Sequence, residues 1–96
     1  MTEGRLSGRR ALITGAADGI GLGIARRFAA EGAHVVMADF DHEKAVTEAR
    51  MLTDVGQLAE AVYVDVTDKG AVATMMAAAA PVDILVNNAY RGNGVA

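Results

Sequence analysis

The residues of this chain best suited to hold a ligand lie in Thr14-Gly15-Ala16-Ala17-Asp18-Gly19-Ile20-Gly21. A β-type run, Arg10-Ala11-Leu12-Ile13-Thr14, precedes them, and a helical run from Leu22 to Glu31 follows. The first N–H groups of a helix have no intrahelical partner, and the aligned peptide dipoles put partial positive charge there. A phosphate or pyrophosphate satisfies both, provided no side chain blocks its approach. Gly15 suits the sharp turn, Gly19 lets backbone come close to the anion, and Gly21 lets the helix lie tightly on the strand. Glycines so spaced also occur in plain loops, so the weight rests on the strand before and the helix after.

Other routes to chemistry are closed or weak. With no cysteine in the 96 residues, disulfides, thiolate catalysis and cysteine–zinc sites are excluded. His34 opens a strand and His42 lies in the first turn of a helix, positions that suit surface or packing roles, and no metal-ligand spacing is present. The only serine, Ser7, precedes the first strand. A net charge of −3 with scattered cationic residues offers no face for nucleic acid. No apolar run reaches membrane-spanning length, and the polar, charged residues 1–10 do not read as a secretory signal. A soluble, cytoplasmic protein is the expectation.

Stepping along the chain gives the elements that would position the glycine turn. The first strand is Arg9 to Thr14 and the first helix about Ile20 to Ala30, with Ile20, Ile24 and Phe28 on one stripe. Gly32 ends that helix, and His34 to Asp39 is the second strand. Asp41 caps a second helix whose buried side is Ala45, Ala49 and Leu52, and Gly56 stops it. Ala61 to Val64 is the third strand, and Asp68 to Ala80 the third helix, with Val72, Met75, Met76 and Ala79 on its apolar face. Pro81 closes that helix, and Val82 to Val86 is the fourth strand. Hydrophobic residues at 52%, with aromatics at 4%, suit a buried parallel sheet under helices. The alternation predicts an α/β fold, right-handed βαβ units in a doubly wound parallel sheet of order 3-2-1-4. Its ligand would sit outside the C-terminal ends of the strands, between the first and the fourth.

The motif TGxxxGIG resembles that of the short-chain dehydrogenase/reductase family, over nearly the whole chain but only the first half or less of such an enzyme. The resemblance implies a Rossmann-like sheet in which residues 1–96 are one partial dinucleotide-binding domain, and that Gly15, Asp18, Gly19, Ile20 and Gly21 hold a nicotinamide dinucleotide. Asp39, eighteen residues beyond Gly21, would accept from the adenosine ribose hydroxyls and repel a 2′-phosphate, so that NAD is taken over NADP. Asp18, Phe40 and Asp41 stand where NADP-using relatives often carry a base. Asp39 and Asp41 could instead be capping acids alone. Asp65-Val66 resembles the family's adenine clamp, although an acid there, or Thr67, could also cap the third helix. Asn87-Asn88-Ala89 matches the start of the family's NNAG, with Tyr90 in place of the glycine.

The family's catalytic Tyr-x-x-x-Lys is absent, because Tyr63 is followed four residues on by Thr67 and Tyr90 by Gly94. No catalytic residue is therefore assigned, and the expected function is the NAD-binding portion of an oxidoreductase whose small-molecule substrate needs a further half. Two rival readings are a non-catalytic nucleotide-binding or interaction module and an adenosine-cofactor methyltransferase, the latter disfavoured by the glycine spacing and the asparagines. The segment from Asp65 to Asn87 is about one helical turn shorter than the family's, so the third helix should cover less of the sheet. An open fourth strand, with Ile84, Val86 and their neighbours on it, should then drive self-association or homo-oligomer formation.

Overall fold

A computed structural model describes residues 4–88. The elements are β1 (Arg10–Thr14), α1 (Gly19–Ala30), β2 (His34–Asp39), α2 (His42–Asp54), β3 (Leu58–Tyr63), α3 (Lys69–Ala79) and β4 (Ile84–Asn87). The strands form one parallel sheet in the expected order, β3-β2-β1-β4. The chain runs outward from β1 to β3 and then crosses back, so its direction reverses between β1 and β4. At that point Thr14 aligns with Ala38 on one side and Asn87 on the other.

The inner strands are continuous apolar runs because both their faces are covered. Ala11, Leu12 and Ile13 of β1 and Val35 to Ala38 of β2 are all fully buried. Ala11, Ile13, Val35 and Met37 pack under α1 and α2, whereas Leu12, Val36 and Ala38 pack under α3. The edge strands are more exposed.

β1 starts one residue later than in the sequence reading, and β3 and β4 differ from it at both ends. β3 starts at Leu58 rather than Ala61, because Leu58 to Glu60 align with His34 to Val36 of β2. The exposed Leu58 and the charged Glu60 hide that start in the sequence. Val64 has left the ladder, yet it is buried and its N–H donates to the Asp39 carbonyl at 3.1 Å. β4 runs from Ile84 to Asn87 rather than Val82 to Val86. Before it, Arg10 N–H donates to Asp83 Oδ2 at 2.9 Å and Asp83 N–H to the Arg10 carbonyl at 2.8 Å, which sets the entry of the strand.

Aspartates cap all three helices, with Asp41 accepting from Lys44 N at 3.1 Å and Asp68 from Ala71 N at 3.0 Å. Neither Asp65 nor Thr67 has that role. Gly32 and Gly56 follow α1 and α2 at φ 94° and 88°, the left-handed conformation that ends helices. The buried sides of α2 and α3 are the expected ones, with Val72 and Met76 half-buried. That of α1 is not. Gly21, Leu22, Ala25 and Ala29 face the sheet, Ile24 and Phe28 pack at its margin, and Ile20 is 76% exposed. A helix seated this close leaves room beneath it mainly for small side chains.

Candidate functional site

The motif residues gather at the C-terminal ends of the strands. Thr14 ends β1, Asp39 ends β2, Tyr63 ends β3 and Asn87 ends β4. Between β1 and α1 the glycine turn occupies the gap where the strand order reverses. Gly15 and Gly19 have φ of 67° and 55°, torsions that a residue with a Cβ adopts only at a cost. A Cβ on Gly19 would have no neighbour within 4 Å, so its requirement is conformational and the space above it is open. At Gly21 the requirement is room, since a Cβ there would collide with the Gly15 carbonyl and with Nδ2 of Asn88.

Two sets of side chains hold the turn. On the β4 side, Asn88 N–H donates to Thr14 Oγ1 at 3.0 Å and Asn88 Nδ2 donates to the Gly15 carbonyl at 3.4 Å. The Thr14 hydroxyl lies within donating distance of Asn87 Oδ1 at 3.3 Å. On the β2 side, Ala16 N–H donates to the Ala38 carbonyl at 3.3 Å and Ala17 N–H to Asp39 Oδ2 at 2.9 Å. Asp39 Oδ1 accepts from Asp41 N–H at 2.8 Å, so one carboxylate joins the glycine turn to the start of α2. Asp18 caps α1 and its Oδ1 accepts from Gly19 N–H at 2.8 Å. Asp18, Gly19 and Ile20 form the exposed side of the turn.

Asp65 lies further along the same edge. Its Oδ1 accepts from Thr67 N–H at 3.0 Å and from the Thr67 hydroxyl at 2.7 Å, closing a small turn before α3. Val66 is half-buried against the α3-side core. Phe40 and Tyr63, at neighbouring strand ends, bring their rings to 5.8 Å at a tilt of 46°. Gly15, Asp18, Gly19, Ile20, Gly21, Asp39, Asn87 and Asn88 are thus brought together, with Asp65 and Val66 on the β3 side. Ala89 and Tyr90 lie outside the described residues.

Thr14 was legible only as the first letter of a motif, but its hydroxyl proves to be a junction between β1 and β4. The signal was available, because a polar side chain ending a buried strand has to find partners. The Phe40–Tyr63 contact had no comparable signal. At the opposite end of the sheet Arg10, His34 and Glu60 form a separate cluster, with His34 Nε2 at 3.0 Å from Glu60 Oε2. A groove of about 660 Å³ between β3 and α3, lined by Val62, Met75 and Ala78 among others, lies away from the glycine turn. The turn itself is an open shelf, able to offer backbone donors and a carboxylate rim to an elongated anionic ligand.

Residues 9–95 match the family model described as short chain dehydrogenase. A galactitol 2-dehydrogenase of Agrobacterium fabrum is 49% identical over 89 residues, covering 88% of this chain and 34% of that protein. A hydroxysteroid dehydrogenase from Escherichia coli superposes with a TM-score of 0.83 at 37% identity, over 91% of this chain and 39% of that one. A metagenomic short-chain oxidoreductase solved in complex with NADP gives a TM-score of 0.81 at 40% identity, over 91% and 41%. The chain spans about a third of the length of the curated relatives it matches. A family match across most of these residues, on a sheet of the order and turn described, leads to one conclusion: the chain belongs to the short-chain dehydrogenase family.

Proposed function

We propose that residues 1–96 are the cofactor-binding portion of an NAD-dependent oxidoreductase that transfers hydride between nicotinamide and an alcohol or carbonyl substrate. The observation that carries this reading is the glycine turn at the reversal point, with positive φ at Gly15 and Gly19 and no Cβ room at Gly21. Two features support a dinucleotide: the space over Gly19 is open for a pyrophosphate, and Ile20 and Gly21 lie in the first turn of α1, where backbone N–H groups lack intrahelical partners. Gly15, Gly19, Ile20 and Gly21 would meet the phosphates through backbone, and Asp39 the ribose hydroxyls. Asp65, Val66, Asn87, Asn88 and Ala89 would flank the adenine and the nicotinamide ribose. The bound nicotinamide supplies the hydride chemistry.

NAD is the preferred cofactor on electrostatic grounds. Asp39 and Asp18 are acidic, and Phe40 and Asp41 follow where a 2′-phosphate would need a cation. That one structural neighbour was solved with NADP makes the discrimination worth measuring directly. The acid/base pair and the substrate pocket are assigned to a further part of such an enzyme, and substrate identity does not follow from a likeness confined to the cofactor half. Oligomer formation is expected through surfaces of the same protein.

Fluorescence titration with NADH and NADPH tests the reading. NADH should bind at least about tenfold more tightly, a difference of about 1.4 kcal/mol. Equal affinities, or a preference unchanged in Asp39→Ala, would remove the ribose assignment, and absence of binding to either would remove the cofactor reading. A panel of alcohols and ketones should give no turnover with the 96-residue chain; steady NADH formation lost on Tyr90→Phe would show catalysis within it.

A further inference from the structure

We infer that Asp39 is a positioning residue for the glycine turn as well as a rim for the ribose, so that the phosphate end of the site depends on a carboxylate whose charge opposes phosphate. The inference rests on the cofactor reading above and assigns a second duty to the same side chain. Its basis is the bond from Ala17 N–H to Asp39 Oδ2 at 2.9 Å. Ala17 is 1% exposed and Ala16 is fully buried. Their N–H groups are directed back to the end of β2, one to the Ala38 carbonyl and the other to Asp39. If Asp39 were truncated, the Ala17 donor would face a buried setting without its acceptor, and the turn would have to move to satisfy it.

A carboxylate has room for both duties. It offers about four lone-pair sites, of which Ala17 and Asp41 engage two through backbone N–H groups. The remaining sites can meet ribose hydroxyls while the turn stays pinned. The strap from Asn88 to Gly15 holds the other side of the turn at a longer 3.4 Å. On the β2 side, Asp39 is the side chain that holds the turn, through the buried Ala17.

Charge and geometry make opposite predictions for a probe that contacts the turn alone, which allows a clean test. Removing a negative charge should strengthen binding of inorganic pyrophosphate if Asp39 acts only through its field. Losing a charge-assisted hydrogen bond that sets the turn should weaken it by at least about tenfold. Wild type, Asp39→Ala and Asp39→Asn would be titrated with pyrophosphate, NADH and NADPH, with amide exchange followed by NMR in ligand-free protein. Asp39→Asn keeps one acceptor oxygen for Ala17, while the exposed Asp41 N–H can turn to water. We expect Asp39→Ala to lose pyrophosphate affinity and to exchange the Ala17 amide faster, with Leu12 and Ile13 amides unchanged. Asp39→Asn should stay within about threefold of wild type for pyrophosphate and keep Ala17 protected, yet lose its discrimination against NADPH.

Pyrophosphate binding by Asp39→Ala as tight as wild type, or an unchanged Ala17 exchange rate, overturns the inference. If wild type binds neither dinucleotide nor pyrophosphate, the cofactor reading fails and Ala17 exchange alone decides the strap. If Asp39→Ala does not fold, Asp39→Leu, which fills the volume and removes the acceptor, takes its place: faster Ala17 exchange and weaker pyrophosphate binding than in Asp39→Asn support the strap, and values equal to those of Asp39→Asn overturn it.

Discussion

The two faces of the sheet are built to different depths. Among the described residues, a core of eleven buried residues under α1 and α2, including Ile13, Met37, Leu22 and Leu52, joins strands and helices with Ile24, Phe28, Ile84 and Val86 at its margin. Under α3 the described residues give six buried ones, of which the helix contributes Met75 and Ala79. On that thinner side Leu85 of β4 is 52% exposed. The cause is topological. Two crossovers move outward on one face, whereas a single eleven-residue helix returns across the other. β4 lies at the edge of the sheet, where Ile84 and Val86 are half-buried on the α1–α2 side and their neighbour Leu85 meets water. The glycine turn is attached to the deeper face through Ala16 and Leu22, so the candidate site rests on the better-packed half.

Adjacent residues of β1 offer the strongest test of this difference, because Ile13 and Leu12 are both fully buried but on opposite faces. Ile13→Ala should cost about 4 kcal/mol and Leu12→Ala about 2–3, since a cavity under a thin cover collapses more readily. Urea denaturation measures both, and equal losses would contradict the contrast.

Next in size is the seating of α1 on the deeper face. Gly21→Ala forces a Cβ into the Gly15 carbonyl and Asn88, so it should destabilise by about 1–3 kcal/mol and weaken NADH binding. Gly23→Ala, two residues on in the same helix with nothing within 4 Å, should instead stabilise by about 0.5–1 kcal/mol. Thermal melts of the two variants should shift in opposite directions.

The thin face also bears on association. An exposed apolar residue on an edge strand favours pairing between copies. Leu85→Glu should reduce concentration-dependent association in sedimentation by about tenfold, some 1.4 kcal/mol, and leave the fold intact. A wild-type chain that melts cooperatively as a monomer at every concentration would show that this face needs no cover.

The smallest effect is at the surface beside α1. Glu31 is held below the usual carboxylate range, chiefly by the Arg5 N–H and secondarily by the charge of Arg27. A lowered folded value means that its contribution is present above the ordinary carboxylate pKa and is lost as pH falls through the lowered one. Glu31→Gln should therefore slightly flatten the acid limb of the stability profile and leave neutral pH almost unchanged, as melts across that range would reveal.

How much of this was legible follows from the range of the forces involved. Local chemistry named the elements: aspartates before helices, glycines after them, and apolar runs for strands that are covered on both faces. It also identified the strand–turn–helix with its glycines, and alternation with right-handed crossovers implied the order 3-2-1-4. What depended on which surfaces meet was not legible. Ile20, Ile24 and Phe28 look like a buried stripe by size, yet Gly21 brings α1 so close that alanines occupy the contact and Ile20 is left in water. Leu58 to Glu60 join a strand only because β2 lies alongside to pair with them. Asp39 could be named from its spacing as a rim for ribose, but the bond from its carboxylate to Ala17 spans 22 positions in the chain. The sequence by itself determined the parts and their order, because caps, turns and periodicity act over a few residues. The tertiary structure decided which side chains are buried and what holds the turn, because those depend on distances between segments remote along the chain.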